Sequence, residues 1–155
     1  MDNILIVDDE EDILELLFDV VKKWGHLPII ARDGEDALQK VQDVPIDLVL
    51  SDIRMPKMDG MTFLEKLKKI NPNLTVILLT GYPSVESAVL TMKEGAYDYL
   101  VKPINLDELK EKIDRGLERS KLSHSLKLLK GVNWSLLISI PFWLILGIFL
   151  ARLLR

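Results

Sequence analysis

Residues 47–52 read DLVLSD, a short apolar run that ends in a serine and an acid. An unbroken apolar run of this length is typical of a parallel strand that is covered on both faces. The next residues, IRMPKMDG at 53–60, contain a proline and an Asp-Gly pair, which favour a loop. This stretch therefore predicts a buried strand whose carboxyl end places Asp52 at the start of a loop.

The same alternation of an apolar run with an amphipathic stretch recurs along residues 2–119. Five strand–helix units predict an α/β fold, a doubly wound five-stranded parallel sheet with helices on both faces. In chain order, the predicted strands are Asn3–Val7, Leu27–Ala31, Asp47–Ser51, Leu74–Leu79 and Tyr97–Val101, and the predicted helices are Glu10–Trp24, Gly34–Val41, Met61–Ile70, Ser84–Glu94 and Leu106–Leu117 and beyond.

Side chains with a carboxylate, hydroxyl or ammonium group, which can bind ligands or take part in catalysis, follow four of the five predicted strands. Asp8 and Asp9 follow the first strand, Asp52 the third, Thr80 the fourth and Lys102 the fifth. Sites in doubly wound folds collect at the carboxyl ends of the strands. If the strand order is 2-1-3-4-5, these four strands are neighbours and their side chains converge on one pocket.

Such a group of residues has the composition of a phosphoryl-transfer site. Three close carboxylates repel one another and need a counter-charge, and a hard divalent cation such as Mg²⁺ supplies it. Lys102 can neutralise a further negative group, and the Thr80 hydroxyl can bond a phosphoryl oxygen. Asp52, single and central, is the best candidate for the nucleophile.

Each residue also has a structural interpretation of its own. Asp8 and Asp9 are suited to cap the first helix, and Asp52 to cap a loop. Lysine before proline is common on surfaces, and Thr-Gly is common in turns. Four separate strand ends that all carry the right group favour the functional interpretation.

Four segments, in this order and with these gaps, resemble the receiver domain of two-component response regulators. They are ILIVDDEEDI at 4–13, DLVLSDIRMPKMDGMTFL at 47–64, VILLTGY at 76–82 and GAYDYLVKPI at 95–104. The sequence of residues 81–103 is most similar to that of receivers of nitrogen-regulation-type activators. The resemblance covers residues 2–119 and implies the flavodoxin-like strand order 2-1-3-4-5.

The resemblance also implies a role for each site residue. Asp52 would accept a phosphoryl group from the phosphohistidine of a sensor histidine kinase, and Lys102-Pro103 would be a cis peptide. Thr80 and Lys102 would contact the phosphoryl group. Tyr99 would be the switch aromatic, whose side chain changes rotamer as Thr80 moves. The Mg²⁺ ligands would be Asp8, Asp9, Asp52 and the backbone carbonyl of Arg54.

Charge divides the 155-residue chain into two parts. All 24 acids lie in residues 1–119 with 15 of the 20 Lys and Arg, so this part carries 15 − 24 = −9, whereas residues 120–155 carry +5. The chain has no cysteine, which excludes a disulfide framework and a thiolate metal site. An apolar content of 48% excludes disorder of the whole chain.

The basic part contains a segment with the length and composition of a membrane helix. Residues 132–150 are uncharged, and 19 residues of helix reach roughly 28 Å. Basic residues are denser before the segment than after it, which predicts a single-pass protein of the bacterial cytoplasmic membrane with its receiver in the cytoplasm. A buried or oligomerising helix and a re-entrant hairpin turning at Pro141 are the alternatives. The predicted domains are a receiver at 1–119, a basic amphipathic linker at 120–131, the membrane helix at 132–150 and a short tail at 151–155.

These features together predict a membrane-anchored receiver without a DNA-binding output. We expect its partners to be a sensor histidine kinase, an unidentified protein effector at the membrane and the lipid bilayer, with no nucleic acid. We expect a phosphoacceptor, not a turnover enzyme. The alternatives are a phosphate sink for a kinase and a haloacid-dehalogenase-type phosphatase. The phosphatase needs an acid two residues after its nucleophile, where this chain has Arg54.

Overall fold

A computed structural model describes residues 1–122 and residue 152. The chain divides after Ser120, and Met1–Ser120 form one compact unit. The second unit, Lys121–Arg155, lies almost wholly outside the described residues, as does the predicted membrane segment at 132–150. Among the residues that the structure does describe, none of the helices is both long and apolar enough to cross a membrane. The membrane segment, the linker and the localisation drawn from them stay predictions.

Strands and helices alternate along the described chain as the hydrophobic pattern predicts. Two strands, the third and the fourth, begin and end one residue later than predicted, so that Asp52 and Thr80 are themselves the last residues of their strands. The strands are β1 (Asn3–Val7), β2 (Leu27–Ala31), β3 (Leu48–Asp52), β4 (Thr75–Thr80) and β5 (Asp98–Val101); the helices are α1 (Glu11–Lys23), α2 (Gly34–Asp43), α3 (Gly60–Ile70), α4 (Val85–Lys93) and α5, which begins at residue 106 and is described as far as residue 122.

All five strands form one parallel sheet in the order β2-β1-β3-β4-β5. The predicted order 2-1-3-4-5 is therefore confirmed. The order changes direction between β1 and β3, which are adjacent in the sheet but are separated in the chain by β2. Such a reversal leaves a crevice at the carboxyl ends of the strands, which is where ligands bind in doubly wound folds.

Two apolar clusters cover the two faces of the sheet. Side chains of α2 and α3, including Phe63 and Leu67, pack on Leu5, Val49 and Val76 on one face. Side chains of α1 and α5, including Leu14, pack on the other. Because both faces of β1, β3 and β4 are buried, the ends of these strands are held in fixed positions. Functional side chains at the strand ends are therefore attached to a rigid part of the fold.

Gly60 allows α3 to begin directly against the end of β3. A Cβ built on Gly60 would lie 2.7 Å from the Cα of Ile53 and closer still to the carbonyl oxygen of Asp52. The Gly60 amide donates a 2.8 Å hydrogen bond to the Ile53 carbonyl, and the Asp59 side chain caps the helix. A larger residue would therefore push the helix away from the acid-bearing strand end.

Gly60→Ala is expected to lower the free energy of unfolding by about 1–3 kcal/mol, the usual cost of forcing a methyl into a packed site. Urea denaturation of both proteins measures this. Gly81→Ala is the matched control, because a Cβ there meets nothing within 4 Å. Equal stabilities of the two alanine variants would contradict this account of Gly60.

Candidate functional site

A half-buried lysine and two buried acids form the centre of the site at the carboxyl edge of the sheet. The Lys102 Nζ atom lies 2.9 Å from Oδ2 of Asp8 and 3.3 Å from Oδ1 of Asp52. Asp8 follows β1, Asp52 ends β3 and Lys102 follows β5. The strand order therefore brings together three residues that are up to 94 positions apart in the chain.

Asp52 is held in an environment that disfavours its charge. Its exposed fraction is 5% and that of Asp8 is 0%. Burial raises the pKa of Asp52, the charge of Lys102 opposes this, and the charge of Asp8 raises the pKa further, so that the net pKa lies above its ordinary value. The cluster therefore contains more negative charge than Lys102 alone can neutralise.

Lys102 is fixed by three acids. Burial lowers the pKa of its ammonium group, but the hydrogen bond from Lys102 to Asp8 and the charges of Asp8 and Asp52 outweigh burial, so the net pKa is raised. The exposed Glu10 is the third acid, with Oε1 3.2 Å from the ammonium nitrogen. Lys102 is thus charged and held at the position where a further anion would need a counter-ion.

The three carboxylates fit a divalent cation. One oxygen from each of Asp8, Asp9 and Asp52 can be chosen so that all three lie within 4.8 Å of one another. Oxygen donors at this spacing, with Asp9 open to solvent, suit Mg²⁺, which keeps several waters. The raised pKa of Asp52 indicates the same need for positive charge.

Thr80 is the last residue of β4, and Arg54 and Tyr82 lie in the loops that follow β3 and β4. The side chain of Thr80 is buried, and its Oγ1 accepts a 3.2 Å hydrogen bond from the Tyr82 amide. The Arg54 amide donates to Oδ2 of Asp52 at 3.2 Å, and its guanidinium carbon lies 3.8 Å from the centre of the Tyr82 ring. The two loops are therefore linked to the site and to each other.

The structural interpretations fit the local contacts of Asp52 and Thr80, which accept hydrogen bonds from the amides two residues further on, but they do not fit the contacts of Asp8 and Lys102. The N-cap of α1 is Glu10, whose side chain makes no capping bond, and the Asp8 side chain accepts from the Glu10 amide instead of capping the helix. The exposed fraction of the Lys102 side chain is only 17%. The Lys102–Pro103 peptide bond is cis, as the resemblance implies.

Tyr99 lies on β5, next to the site and not within its charged cluster. It is half-buried against the apolar cluster on the α3 face, and its register partner on β4 is Leu78. Thr80 is paired in the same ladder with Val101. A switch role for Tyr99 stays a prediction.

Three contributions to the site were not predicted from the sequence. They are the ion pair of Glu10 with Lys102, the contact of Arg54 with Tyr82 and the close approach of Gly60 to Asp52. Each joins a loop to another segment, and only the Asp-Gly pair at 59–60 gives a local sign of tight packing.

Solved structures share both the fold and part of the sequence. A response regulator receiver domain protein from Clostridium thermocellum superposes with a TM-score of 0.75 at 36% identity, covering 79% of this chain and 98% of that one. NtrX from Brucella abortus, in complex with ADP, gives a TM-score of 0.77 at 36% identity, but only 30% of its chain is covered.

Curated relatives are longer regulatory proteins. The transcriptional regulatory protein ZraR of Klebsiella oxytoca is 41% identical over 123 residues, which are 79% of this chain and 28% of ZraR. The regulatory protein AtoC of Escherichia coli K12 is 37% identical over 127 residues, which are 82% of this chain and 28% of AtoC. The chain therefore spans little more than a quarter of these relatives.

These relatives overturn the prediction of a lone, membrane-anchored receiver that signals without a DNA-binding output. That prediction is wrong because the proteins with matching receivers are larger and ZraR is a transcriptional regulatory protein. The exclusion of nucleic acid among the partners is left without support. The apolar tail does not determine the output of a receiver, and the similarity to these relatives lies in the receiver.

The profile of the response regulator receiver domain family matches residues 4–114, most of the chain. The match contains the three acids, the threonine and the lysine described above. Receiver domains of this family are phosphorylated by sensor histidine kinases and in general bind Mg²⁺ at an acidic pocket, which corresponds here to Asp8, Asp9 and Asp52. By its fold, by its sequence and by the composition of this site, the chain belongs to the response regulator receiver domain family.

Proposed function

We propose that this chain is the phosphoryl-accepting part of a two-component regulator and that Asp52 takes a phosphoryl group from the phosphohistidine of a sensor histidine kinase. The observation that carries the proposal is the position of Lys102, whose ammonium bridges the buried Asp8 and Asp52. A buried acid beside a fixed lysine and a cation-sized set of oxygens is suited to receive a dianionic group.

The transfer forms a bond between a carboxylate oxygen of Asp52 and phosphorus. The phosphorus–nitrogen bond to the donor imidazole breaks, and the nitrogen keeps the electron pair and takes up a proton. Lys102 lies where it can neutralise charge on the transferred group, and the Thr80 hydroxyl can donate to one of its oxygens. Asp8, Asp9, Asp52 and the carbonyl of Arg54 would hold Mg²⁺, which when bound neutralises the acids and a phosphoryl oxygen.

We further propose that the phosphorylated receiver controls transcription. The name of ZraR, with 41% identity over the receiver, supports this direction of output. The Tyr99 side chain would change rotamer as Thr80 moves, and this would alter the surface at β5. The chain would act as a stoichiometric acceptor, so sustained turnover of a phosphate ester by the purified protein would contradict this part of the proposal.

Acid-labile phosphate tests the proposal directly. The 155-residue chain is incubated with acetyl phosphate and Mg²⁺, and the phosphate is mapped by peptide analysis after mild proteolysis. We expect up to one phosphate per chain on the peptide that contains Asp52, and none when a chelator replaces Mg²⁺. Acid-stable phosphate, phosphate on another peptide or incorporation that is indifferent to the chelator would contradict the proposal.

Mg²⁺ is expected to stabilise the folded protein without any phosphodonor. A ligand at a hundred times its dissociation constant adds about 2.7 kcal/mol to the free energy of unfolding, and thermal melts with and without the metal measure this. Asp9→Asn removes an exposed ligand and should shrink the shift. Asp19→Asn, an exposed acid in the middle of α1, is the matched control and should keep it. Equal shifts in both variants would argue against a site at Asp9.

A further inference from the structure

The loop between β3 and α3 contains a backbone turn that residues other than glycine rarely adopt. Lys57 has a φ angle of 65°, and in the part of the chain that the structure describes it is the only residue other than glycine with a positive φ. The Met58 amide donates a 2.7 Å hydrogen bond to the Pro56 carbonyl, so Lys57 is the central residue of a three-residue turn. Such a turn is strained for a residue with a Cβ, and it needs contacts elsewhere to hold it.

An ion pair connects this turn to the loop between β2 and α2. The Lys57 Nζ atom lies 2.7 Å from Oδ2 of Asp33, whose side chain is 16% exposed. The hydrogen bond from the Asp36 amide, and then the one from Lys57, lower the pKa of the Asp33 carboxyl, so this carboxyl is charged at neutral pH. Because the bond from the Asp36 amide caps α2, the acid is fixed to the helix and offers the lysine a rigid partner.

A packing contact joins the same two loops. A Cβ built on Gly34, the first residue of α2, would lie 2.8 Å from Sδ of Met58. Met58 is buried and follows Lys57 directly in the chain. The glycine therefore leaves room for the methionine beside the ion pair, and the two contacts together hold the turn against the start of α2.

The strained turn lies in the loop that carries the Arg54 carbonyl, which is a proposed Mg²⁺ ligand. Both ends of this loop are held by backbone hydrogen bonds, from the Ile53 amide to β4 and from the Gly60 amide to the Ile53 carbonyl. Within the described chain, residues 55–58 take part in two hydrogen bonds, the one inside the turn and the one to Asp33. The ion pair is therefore the polar contact that ties the middle of the loop to another segment.

We propose that Lys57 and Asp33 are a positioning pair that holds the loop after β3 in its metal-binding arrangement and so raises the affinity of the site for Mg²⁺. This inference rests on the proposed metal site. Without the pair, the strained loop is divided between this arrangement and relaxed ones, and the apparent affinity falls with the fraction that can bind. The pair also joins the loops on either side of β1, the strand that is followed by Asp8 and Asp9.

The test measures the Mg²⁺ dissociation constant of the 155-residue chain from thermal melts over a series of metal concentrations. Lys57→Met removes one charge and keeps a long side chain, and Asp33→Asn removes the other and still caps α2. Each is expected to weaken Mg²⁺ binding about two- to five-fold, the factor that corresponds to the loss of a surface ion pair. The double variant should bind no more weakly than the weaker single variant, because one contact is lost in all three. Lys57→Arg keeps the pair and should retain the affinity.

The direction of the two effects separates a positioning role from the effect of charge alone. Lys57 is a cation on the loop of a carboxylate site, so the loss of its charge alone would strengthen the binding of Mg²⁺, whereas the loss of the Asp33 charge alone would weaken it. A positioning pair weakens binding in both cases. Lys57→Gly also loses the pair, but glycine adopts a positive φ without strain, so this variant should bind Mg²⁺ more tightly than Lys57→Met does.

An ion pair at the far end of α3 provides a matched control. Lys69 lies 2.6 Å from Glu65, so Lys69→Met removes a pair of the same kind away from the turn and should keep the wild-type dissociation constant. Wild-type affinity in both single variants would overturn the inference, as would tighter binding by Lys57→Met. A wild-type protein without any Mg²⁺-dependent shift would instead overturn the proposed metal site, so the two failures are distinguishable.

Discussion

Asp52→Asn is expected to reduce Mg²⁺-dependent phosphate incorporation to background and, at the same time, to stabilise the metal-free protein. The first effect follows because an amide lacks the nucleophilic oxygen that must bond to phosphorus. The second follows because the substitution removes one charge from a cluster in which burial and Asp8 already raise the pKa of Asp52. An amide of the same shape retains most of the packing, so we expect a gain on the order of 1 kcal/mol.

The dependence on pH gives the stability effect a definite sign. The pKa of Asp52 is raised in the folded state above its ordinary value, so the folded protein holds this proton more tightly than the unfolded chain does. Stability from this group is therefore complete below the unfolded pKa and is lost as the pH rises through the folded pKa. The advantage of Asp52→Asn should be small below the unfolded pKa and should grow as the pH rises through the folded pKa of Asp52.

Denaturation in urea at constant ionic strength, with a chelator present, measures this difference. Asp19→Asn removes an exposed acid from the same chain and should change neither the phosphate incorporation nor the pH dependence. Undiminished incorporation in Asp52→Asn would show that another group is the acceptor. If Asp52→Asn were less stable than the wild type by the same amount at every pH, the charge of Asp52 would not destabilise the folded protein.

The architecture was predictable because the physical signal of each strand is local. Runs such as Leu48–Leu50 are apolar without alternation, since both of their faces are covered. The ends of the strands were less predictable. Asp52 and Thr80 belong to the ladder because backbone bonds continue past the last apolar residue, from the Ile53 amide to the Leu79 carbonyl and from the Lys102 amide to the Thr80 carbonyl. The hydrophobic pattern of the sequence gives no indication of such backbone hydrogen bonds.

The acids and the lysine were predictable because the strand order alone decides which strand ends meet. The finer contacts depend on loop geometry instead. Glu10 reaches Lys102 across 92 residues of chain, and Arg54 meets Tyr82 through two separate loops, so no spacing in the sequence encodes either contact. The output could not be predicted for a different reason, since neither the loops nor the strand ends of a receiver determine what it controls.

Lys102→Met is expected to lower the free energy of unfolding of the metal-free protein by about 3 kcal/mol at neutral pH, the lower end of the cost of removing one partner from a buried ion pair. Methionine has a similar length and no charge. Asp8, with an exposed fraction of 0%, and Asp52 would then face each other with no cation between them. We take the lower end because 17% of the Lys102 side chain is open to solvent.

Lys110→Met provides the matched control on α5. Lys110 pairs with Asp114 four residues later, and both side chains are about half-exposed, so removing this pair should cost only about 0.3–0.5 kcal/mol. Urea denaturation of both variants gives the comparison. Equal losses would mean that the cluster at the sheet edge is stabilised no more than a surface pair.

The origin of the loss can be identified by restoring charge balance in two independent ways. Removing one of the opposing acids should recover stability, so the double variant Asp52→Asn/Lys102→Met should be more stable than the sum of its single effects predicts. Mg²⁺ should also replace the missing cation, so its stabilising effect should be larger in Lys102→Met than in the wild type. Both recoveries are expected if electrostatic repulsion causes the loss. Neither is expected if methionine merely packs badly, because a packing defect is indifferent to the charge of Asp52 and to the metal.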